Sequence, residues 1–285
     1  MPLVVLDRRD AFRKALDAER SAGRTVGLVP TMGALHDGHR SLMRRAAGEC
    51  DVVAATLFVN PLQFGPSEDL DSYPRDLDGD RDAAEADAVA YLFAPSQQEV
   101  FPEPPVTTVT VAGLSDVLEG AVRPGHFAGV ATIVTKLLSL AGPCRAYFGE
   151  KDFQQLAVIR RLTADLSLPA EIVACPTVRA ADGLALSSRN AYLTSDQRAV
   201  APTLYQALLA GRAAAQSPGV DAATVRAAMV ATVAREPALR LDYAEVVDPV
   251  DLSPLTTVDR EARLLIAARL GPTRLIDNLA VGEQP

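Results

Sequence analysis

Apolar segments alternate with amphipathic ones through the first two thirds of the chain. Residues 25–30 (TVGLVP) predict a buried strand, and a turn over residues 33–38 leads into an amphipathic helix at residues 39–50. The next apolar run, residues 51–60, has no polar alternation, which is typical of a strand covered on both faces of a parallel sheet. This stretch therefore predicts a strand, a helix and a second parallel strand.

The alternation of strands and helices continues to about residue 177. Strands are predicted at residues 88–94, 106–111, 146–149 and 170–176, and helices at residues 130–140 and 154–166. Strands that alternate with helices are typical of α/β proteins. The pattern predicts a Rossmann-like, doubly wound parallel sheet that forms an N-terminal domain over residues 1–177.

The pattern changes in the last hundred residues. Thr194 is an N-cap for a long alanine-rich helix, and residues 221–235 predict a second helix. Residues 242–247 and 263–269 are strand-like and apolar. This mixture predicts a smaller α+β C-terminal domain over residues 178–285.

Charge and composition narrow the possible partners. The chain has 285 residues, a formal net charge of −8 and no run of basic residues. Such a balance disfavours binding to nucleic acid or to an anionic membrane surface. No stretch approaches the roughly 18 apolar residues of a membrane span. Three widely spaced cysteines form neither a disulfide framework nor a CxxC metal site. We therefore expect a soluble, cytoplasmic protein with small-molecule partners.

Two of the three histidines lie together in the turn before the first predicted helix. His36 and His39 belong to the sequence His-Asp-Gly-His. The N-terminus of a helix favours phosphate binding through its backbone N–H groups and dipole, and imidazoles there can donate to phosphate oxygens. The pair also fits a helix cap, an exposed turn or half of a metal site. A metal is disfavoured because no third histidine or cysteine lies nearby in the sequence.

A longer motif surrounds these histidines. Residues 30–39 (PTMGALHDGH) resemble the HxGH signature of the nucleotidylyltransferase superfamily, and specifically that segment in the pantothenate synthetase (pantoate-β-alanine ligase) family. Further blocks resemble that family in the same order: FVNPLQF at 58–64, DLDSYPR at 69–75, RPGHF at 123–127, FGEKDFQQ at 148–155 and SSRN at 187–190. Ordered blocks across about residues 28–192 make a chance match very improbable.

The resemblance implies a two-step reaction. In this family ATP and (R)-pantoate form pantoyl adenylate and pyrophosphate, and β-alanine then attacks the activated carbonyl to give pantothenate and AMP. It also implies bound Mg²⁺, a homodimer, to which the apolar residues 106–111 are a candidate contact, and a lid role for the C-terminal domain.

The resemblance also assigns residues to the nucleotide. The groups implied to be catalytic, by offsetting phosphate charge, are His36, His39, Lys151, Ser187, Ser188 and Arg189. Lysine is rare in this chain, at three of 28 basic residues, which favours a specific role for Lys151. The implied nucleotide-binding set is Met32, Gly33, Ala34, Leu35, His36, Asp37, Gly38, His39, Gly149, Glu150, Lys151, Asp152, Val178, Leu186, Ser187, Ser188 and Arg189.

Pantoate and the metal are assigned in the same way. Gln63 and Gln155 are implied to bind the hydroxyl and carboxylate of pantoate, while Met32 and Phe64 form an apolar wall against its methyl groups. Asp80 is the implied Mg²⁺ ligand, with Asp78 as second choice, because this chain reads Asp-Gly-Asp where many relatives have consecutive acidic residues.

Some alternatives stay open at this point. A transferase that leaves the nucleotide on a phosphorylated acceptor shares the HxGH turn, but Gln63 and Gln155 offer no positive pocket for such an acceptor. A non-catalytic nucleotide sensor would be expected to lack one or more of His39, Lys151 and Arg189, and all three are present. His126 either lines the site or holds the loop, and Lys136 either reaches a pocket or extends its amine to solvent.

Overall fold

A parallel sheet carries the first part of the chain. The computed structural model describes residues 2–66, 68, 70–259 and 261–282. In that part of the chain the strands β1 to β6 form one parallel sheet in the order β1-β4-β3-β2-β5-β6. Their bounds are β1 Val4–Leu6, β2 Val26–Thr31, β3 Val52–Leu57, β4 Tyr91–Phe93, β5 Cys144–Gly149 and β6 Ala170–Cys175.

Helices connect these strands. They are α1 Arg9–Ser21, α2 Asp37–Glu49, α3 Leu77–Ala86, α4 Gln97–Val100, α5 Glu119–Val122, α6 His126–Ala141 and α7 Phe153–Asp165. Helix α2 lies close to the sheet because Gly27 in β2 has no side chain: a Cβ there would lie 3.2 Å from Ala46 Cβ and 3.3 Å from Cys50 Sγ. The α/β architecture predicted from the sequence is confirmed.

The strand order creates a switch point at the centre of the sheet. Strands β2 and β5 are neighbours, with Leu28 paired to Ala146. The chain continues from β2 to β3 toward one edge of the sheet, and from β5 to β6 toward the other edge. Ligands of open α/β sheets bind outside the carboxyl ends of the strands at such a point. The turn after β2 leads to the histidine pair at the start of α2, and β5 ends at Gly149, just before Glu150.

The chain divides into two compact units. Unit 1 comprises Met1–Glu150 and Gln154–Pro176, and unit 2 comprises Lys151–Phe153 and Thr177–Pro285. Unit 2 contains helices α8 Ser195–Val200, α9 Thr203–Ala214 and α10 Ala222–Val233, and strands β7 Val220–Asp221, β8 Leu239–Val247, β9 Thr257–Val258, β10 Ala262–Leu270 and β11 Thr273–Val281.

Unit 2 has its own core. Strands β8, β10 and β11 form an antiparallel sheet, and β7 pairs with β9. Leu204 and Leu208 of α9, Met229 of α10, and Leu264 and Ile266 of β10 belong to one buried cluster. The smaller α+β region expected at the C-terminus is therefore present.

Two predicted elements are wrong. Residues 106–111 form no strand: Val106 is 98% exposed, and the backbone N–H of Val109 donates to Thr132 Oγ1 at 3.0 Å instead of to a neighbouring strand. The sheet edge beside β4 is formed by the short strand β1.

The long helix expected after Thr194 is divided into α8 and α9 at Pro202, because proline has no N–H for the helical ladder.

Each helix in the described part of the chain is too short or too polar to cross a lipid bilayer.

Candidate active site

The histidine pair caps the N-terminus of α2. His36 is the N-cap, and its Nδ1 accepts a hydrogen bond from the backbone N–H of Gly38 at 3.1 Å. His39 Nδ1 in turn accepts from the backbone N–H of His36 at 3.4 Å, and the two rings lie with their centroids 4.1 Å apart. Because each Nδ1 acts as acceptor, the proton of each neutral ring lies on Nε2. The turn therefore combines a helix cap with two Nε2–H donors at the positive end of a helix dipole.

Asp80 holds the loop that precedes this cap. Its Oδ2 accepts from the backbone N–H of Ala34 at 2.9 Å, and its Oδ1 accepts from that of Leu35 at 2.7 Å. The residue lies in the first turn of α3 and is 5% exposed. Burial raises the pKa of Asp80, while the two N–H donors act in the opposite direction. Gly33, with φ of +88°, fits here because a Cβ would lie 2.8 Å from Asp80 Oδ2.

Asp78 and Asp80 are the acidic groups in the first turn of α3. No group of three or more His, Cys, Asp and Glu within the described residues is arranged to hold a metal ion by itself. Both oxygens of Asp80 already accept a backbone N–H, but each carboxylate oxygen has a second lone pair. Mg²⁺ at nucleotide sites takes one or two carboxylates, and phosphates and water supply the remaining ligands. Asp80 fits as a single shared ligand, and Asp78 is exposed on the same turn.

A pair of buried amides follows strand β3. Gln63 lies in the 3₁₀ turn Pro61–Gln63, where its Oε1 accepts from Asn60 Nδ2 at 3.2 Å and its Nε2 contacts Met32 Sδ at 2.8 Å. Asn60 also donates to the carbonyl of Gly129 at 3.1 Å. The structure thus brings together the expected pantoate residues Met32 and Gln63. Asn60, buried at the start of this turn, was missed, although a polar residue between an apolar strand and a proline is a signal for such a role.

His126 supports the same turn. Its Nδ1 lies 2.8 Å from the carbonyl oxygen of Gln63, and its Nε2 lies 3.1 Å from Nη1 of Arg123. A carbonyl only accepts and a guanidinium only donates, so the ring is neutral with its proton on Nδ1. Burial and the Arg123 charge lower the pKa of His126 to about 4. Glu68 binds Arg123 through both carboxylate oxygens. His126 is therefore a loop-holding group.

The two neighbouring glutamines of α7 differ in their exposure and in their hydrogen bonds. Gln154 is 4% exposed: its Oε1 accepts from the backbone N–H of Glu119 at 3.0 Å, and its Nε2 donates to the carbonyls of Leu114 and Val117 at 2.8 and 2.7 Å. Gln155 is only half-buried. The amide of Gln154 is thus committed to the loop before α5, and Gln155 has the accessibility expected of a ligand group.

Lys136 has a structural role. Its Nζ donates to the carbonyl of Val100 and lies 4.7 Å from the ring centroid of Phe101. Burial lowers the pKa of Lys136. These contacts hold the amine of Lys136 at the end of α4.

The remaining expected nucleotide residues belong to unit 2. Lys151 lies in the 3₁₀ turn Glu150–Asp152, with its Nζ 3.5 Å from Asp152 Oδ1. Val178 and Leu186 meet across a hairpin, where the N–H of Leu186 donates to the carbonyl of Val178 at 2.9 Å. Ser187 is the N-cap of the 3₁₀ helix Ser188–Tyr192, and its Oγ accepts from the N–H of Arg189 at 3.3 Å.

The structure therefore brings the expected residues together in two groups. Unit 1 holds the histidine turn, Asp80, Gln63, Gln155, Gly149 and Glu150, and unit 2 holds Lys151, Asp152, Val178 and residues 186–189.

A parallel α/β sheet with a helix N-terminus at its switch point is an arrangement suited to phosphate-bearing ligands such as nucleotides. The chain belongs to the pantoate-β-alanine ligase family, whose family model matches residues 4–280. The family resemblance seen in the sequence is thereby confirmed.

Individual relatives agree over nearly the whole chain. It is 49% identical to the pantothenate synthetase of Herpetosiphon aurantiacus over 265 residues, which cover 93% of this chain and 96% of that protein. It is 52% identical to the pantothenate synthetase of Pseudomonas fluorescens, with 94% and 95% covered.

Solved structures agree as well. The pantothenate synthetase of Thermus thermophilus superposes with a TM-score of 0.93 at 48% identity, covering 99% of both chains. The Francisella tularensis pantoate-β-alanine ligase, complexed with β,γ ATP and β-alanine, gives a TM-score of 0.81 at 33% identity, also over 99% of both chains.

Proposed function

We propose that this protein condenses (R)-pantoate with β-alanine to form pantothenate, using ATP and releasing AMP and pyrophosphate through pantoyl adenylate. The observation that carries the proposal is the 2.8 Å contact between Gln63 Nε2 and Met32 Sδ, since it joins the amide proposed to bind pantoate to the loop that leads into the histidine-capped helix. Membership of the family supports the choice of substrates.

In the first step a carboxylate oxygen of pantoate attacks the α-phosphorus of ATP. The bond from that phosphorus to the bridging oxygen breaks, and pyrophosphate leaves with the electron pair. Negative charge grows on the phosphate oxygens, and the Nε2–H groups of His36 and His39 donate to it at the N-terminus of α2. Lys151, Ser187, Ser188 and Arg189 are proposed to offset the charge of the phosphates.

In the second step the amine of β-alanine attacks the carbonyl carbon of the adenylate. The amide bond forms, AMP leaves, and the amine loses a proton. Activation is required because a carboxylate is a poor acyl donor, and exclusion of water protects the mixed anhydride from hydrolysis.

Pantoate recognition is assigned to two amides and an apolar wall. Gln63 and Gln155 each offer a donor and an acceptor, which suits a hydroxyl beside a carboxylate. Met32 and Phe64 provide apolar surface for the geminal methyl groups, and Phe64 is held edge-on to Tyr73 with ring centroids 5.9 Å apart.

Nucleotide binding is assigned to three segments of the chain. The loop from Met32 to His39 and the segment from Gly149 to Asp152 would contact phosphates and ribose, and the hairpin residues Val178 and Leu186 would flank the adenine. Asp80 would supply one ligand to Mg²⁺, which neutralises phosphate charge when it is bound.

The proposal includes the organisation of the protein. Residues 1–177 form the nucleotide- and pantoate-binding domain, and residues 178–285 act as a lid. The protein works in the cytoplasm as a homodimer, for which the segment 106–111, with Val106 98% exposed, is the candidate contact.

The proposed function is tested by omitting substrates one at a time. Pyrophosphate is expected from ATP, Mg²⁺ and (R)-pantoate alone, and AMP with pantothenate only after β-alanine is added. Phosphorylated acceptors in place of pantoate serve as the control for the nucleotidyltransferase alternative. Product with those acceptors and none with pantoate, while calorimetry shows ATP binding, would overturn the proposal.

A further inference from the structure

An asparagine near the end of the chain is hydrogen-bonded to the backbone of the scarce lysine. Asn278 lies in β11 and is 2% exposed. Its Nδ2 donates to the carbonyl oxygen of Lys151 at 2.8 Å, across 127 positions of sequence. This bond reaches the 3₁₀ turn Glu150–Asp152. A buried amide in this place restricts where the backbone of that turn lies.

The orientation of this amide is fixed by an arginine. Arg263 Nε donates to Asn278 Oδ1 at 2.7 Å. Guanidinium groups only donate and carbonyl oxygens only accept, so the Oδ1 of Asn278 must face Arg263 and its Nδ2 must face Lys151. Asn278 pairs with Leu265 across the β10–β11 ladder, which places Arg263 two residues along on the same face.

Arg263 also contacts the residue two positions after the lysine. Its guanidinium carbon lies 4.2 Å from the ring centroid of Phe153, a stacking distance for a cation over an aromatic face. The turn is therefore held at the carbonyl of Lys151 and at the ring of Phe153, and both contacts depend on one buried arginine.

The same strand fixes the nucleotide hairpin. Asp277 binds Arg179 through both carboxylate oxygens, at 2.6 and 2.9 Å, and its Oδ1 also accepts the backbone N–H of Asn278 at 2.8 Å. Arg179 follows Val178 and lies 3.9 Å from the ring centroid of Tyr205. Adjacent residues of β11 thus support the Lys151 turn and the hairpin that leads to residues 186–189.

We propose that Asn278, oriented by Arg263, is a positioning residue for Lys151. It sets the backbone of the turn so that the ammonium group is presented to the phosphates, without touching the substrate itself. Placement errors near 1 Å are costly in catalysis, which gives such a residue a large effect. The inference rests on the proposed role of Lys151 in ATP binding.

The sharpest test is Asn278→Asp, which preserves size and retains a partner for Arg263. An oxygen then replaces the N–H donor that faced the carbonyl of Lys151, so two acceptors oppose each other. Pyrophosphate release from ATP and (R)-pantoate is expected to fall roughly 10- to 100-fold. The thermal midpoint is expected to change little, because the aspartate gains an ion pair with Arg263.

A matched control separates positioning from general weakening of the strand. Leu275→Ala removes a buried side chain from β11 and is expected to lower the thermal midpoint while the rate below that midpoint stays near that of the unmodified protein. If Asn278→Asp fails to fold, Arg263→Lys tests the same link, since it keeps the charge but loses the planar fork and the stack on Phe153. If the variant that folds, Asn278→Asp or Arg263→Lys, releases pyrophosphate at the normal rate, the proposal is overturned.

A double-mutant cycle shows whether the effect passes through the lysine. Asn278→Asp should weaken pyrophosphate release and ATP affinity far less in a Lys151→Ala background than in the unmodified protein. If Asn278→Asp lowers the rate by the same factor in the unmodified protein and in the Lys151→Ala background, the positioning role is overturned and the proposed function stays intact. A normal rate for Lys151→Ala alone would overturn the role of the lysine in the proposed function, and this inference with it.

Discussion

The carboxylate of Asp80 accepts the backbone N–H of Leu35 at 2.7 Å. A side chain on α3 is thereby tied to the loop that enters the histidine-capped helix. The sequence offered Asp80 as a metal ligand, and the structure adds a second use for the same group, which is to shape the loop.

Asp80→Asn separates these two uses. The amide keeps one acceptor but turns an NH₂ group toward a backbone donor, so we expect a loss of about 1–3 kcal/mol in the free energy of unfolding. Urea denaturation measures this loss. A Mg²⁺ titration of pyrophosphate release measures the second use, and a raised Mg²⁺ requirement is expected if Asp80 is also a ligand. Unchanged stability would contradict the loop-holding role.

His36→Asn separates capping from chemistry at the N-terminus of α2. Asparagine is a good N-cap, so the free energy of unfolding should stay within about 1 kcal/mol of the unmodified value. The substitution removes the Nε2–H donor, and pyrophosphate release should fall about 100-fold or more. His36→Ala should lose the cap as well as the rate. A normal rate for His36→Asn would show that the histidine serves the fold alone.

The neighbouring glutamines of α7 form a natural pair of test and control. Gln155→Ala should raise the KM for pantoate with little change in stability, because Gln155 is half-buried and is proposed to bind the acid. Gln154→Ala should lower the free energy of unfolding by about 2 kcal/mol or more, because it leaves a backbone N–H and two carbonyls without their partner. The reverse pattern in steady-state kinetics and denaturation would contradict the assignment.

His126 gives the protein a pH dependence of known sign. Its pKa is about 4 in the folded chain against 6.5 for the ordinary group, so between these values the unfolded chain binds the extra proton. The free energy of unfolding is therefore highest above pH 6.5 and falls as the pH drops toward 4, by up to about 3 kcal/mol from this group.

His126→Gln removes this titration and can retain both hydrogen bonds. Denaturation curves at about pH 7 and about pH 4.5 should therefore differ less for the variant than for the unmodified protein. An equal difference in both proteins would show that other groups carry the dependence.

The segment 106–111 provides a test of the proposed dimer. Val106 is 98% exposed, so Val106→Asp costs an isolated chain almost nothing. If the segment is the contact between copies, light scattering should show a dimer for the unmodified protein and a monomer for the variant. A dimer in both would place the contact elsewhere.

Much of unit 1 could be predicted because its signals are local. Buried parallel strands lack polar alternation, and the turn over residues 33–38 lies where the chain passes from strand to helix. The prediction failed at residues 106–111, where an apolar run follows two prolines and its backbone hydrogen bonds to α6 instead of to a strand. The helix break at Pro202 could have been predicted, because proline has no backbone N–H. It was missed because the sequence has a helical pattern on both sides of the proline.

The supports of the site could not be predicted from periodicity. Asn278 reaches Lys151 across 127 positions, and Asp80 reaches Leu35 across 45. No local motif indicates that these residues pair with each other, because each contact exists only after separate elements pack. The family resemblance identified groups expected to touch substrates, and it left out Asn60, Gln154, Arg263 and Asn278, which hold those groups or their neighbours in place.

The most direct measurement follows oxygen from pantoate labelled with ¹⁸O in its carboxylate. If the carboxylate attacks the α-phosphorus to form pantoyl adenylate, β-alanine must release AMP that carries one ¹⁸O in its phosphate, and mass spectrometry of the AMP detects it. The label is expected in AMP, and none is expected in pyrophosphate. Unlabelled AMP, or label in inorganic phosphate formed together with ADP, would contradict activation through an adenylate.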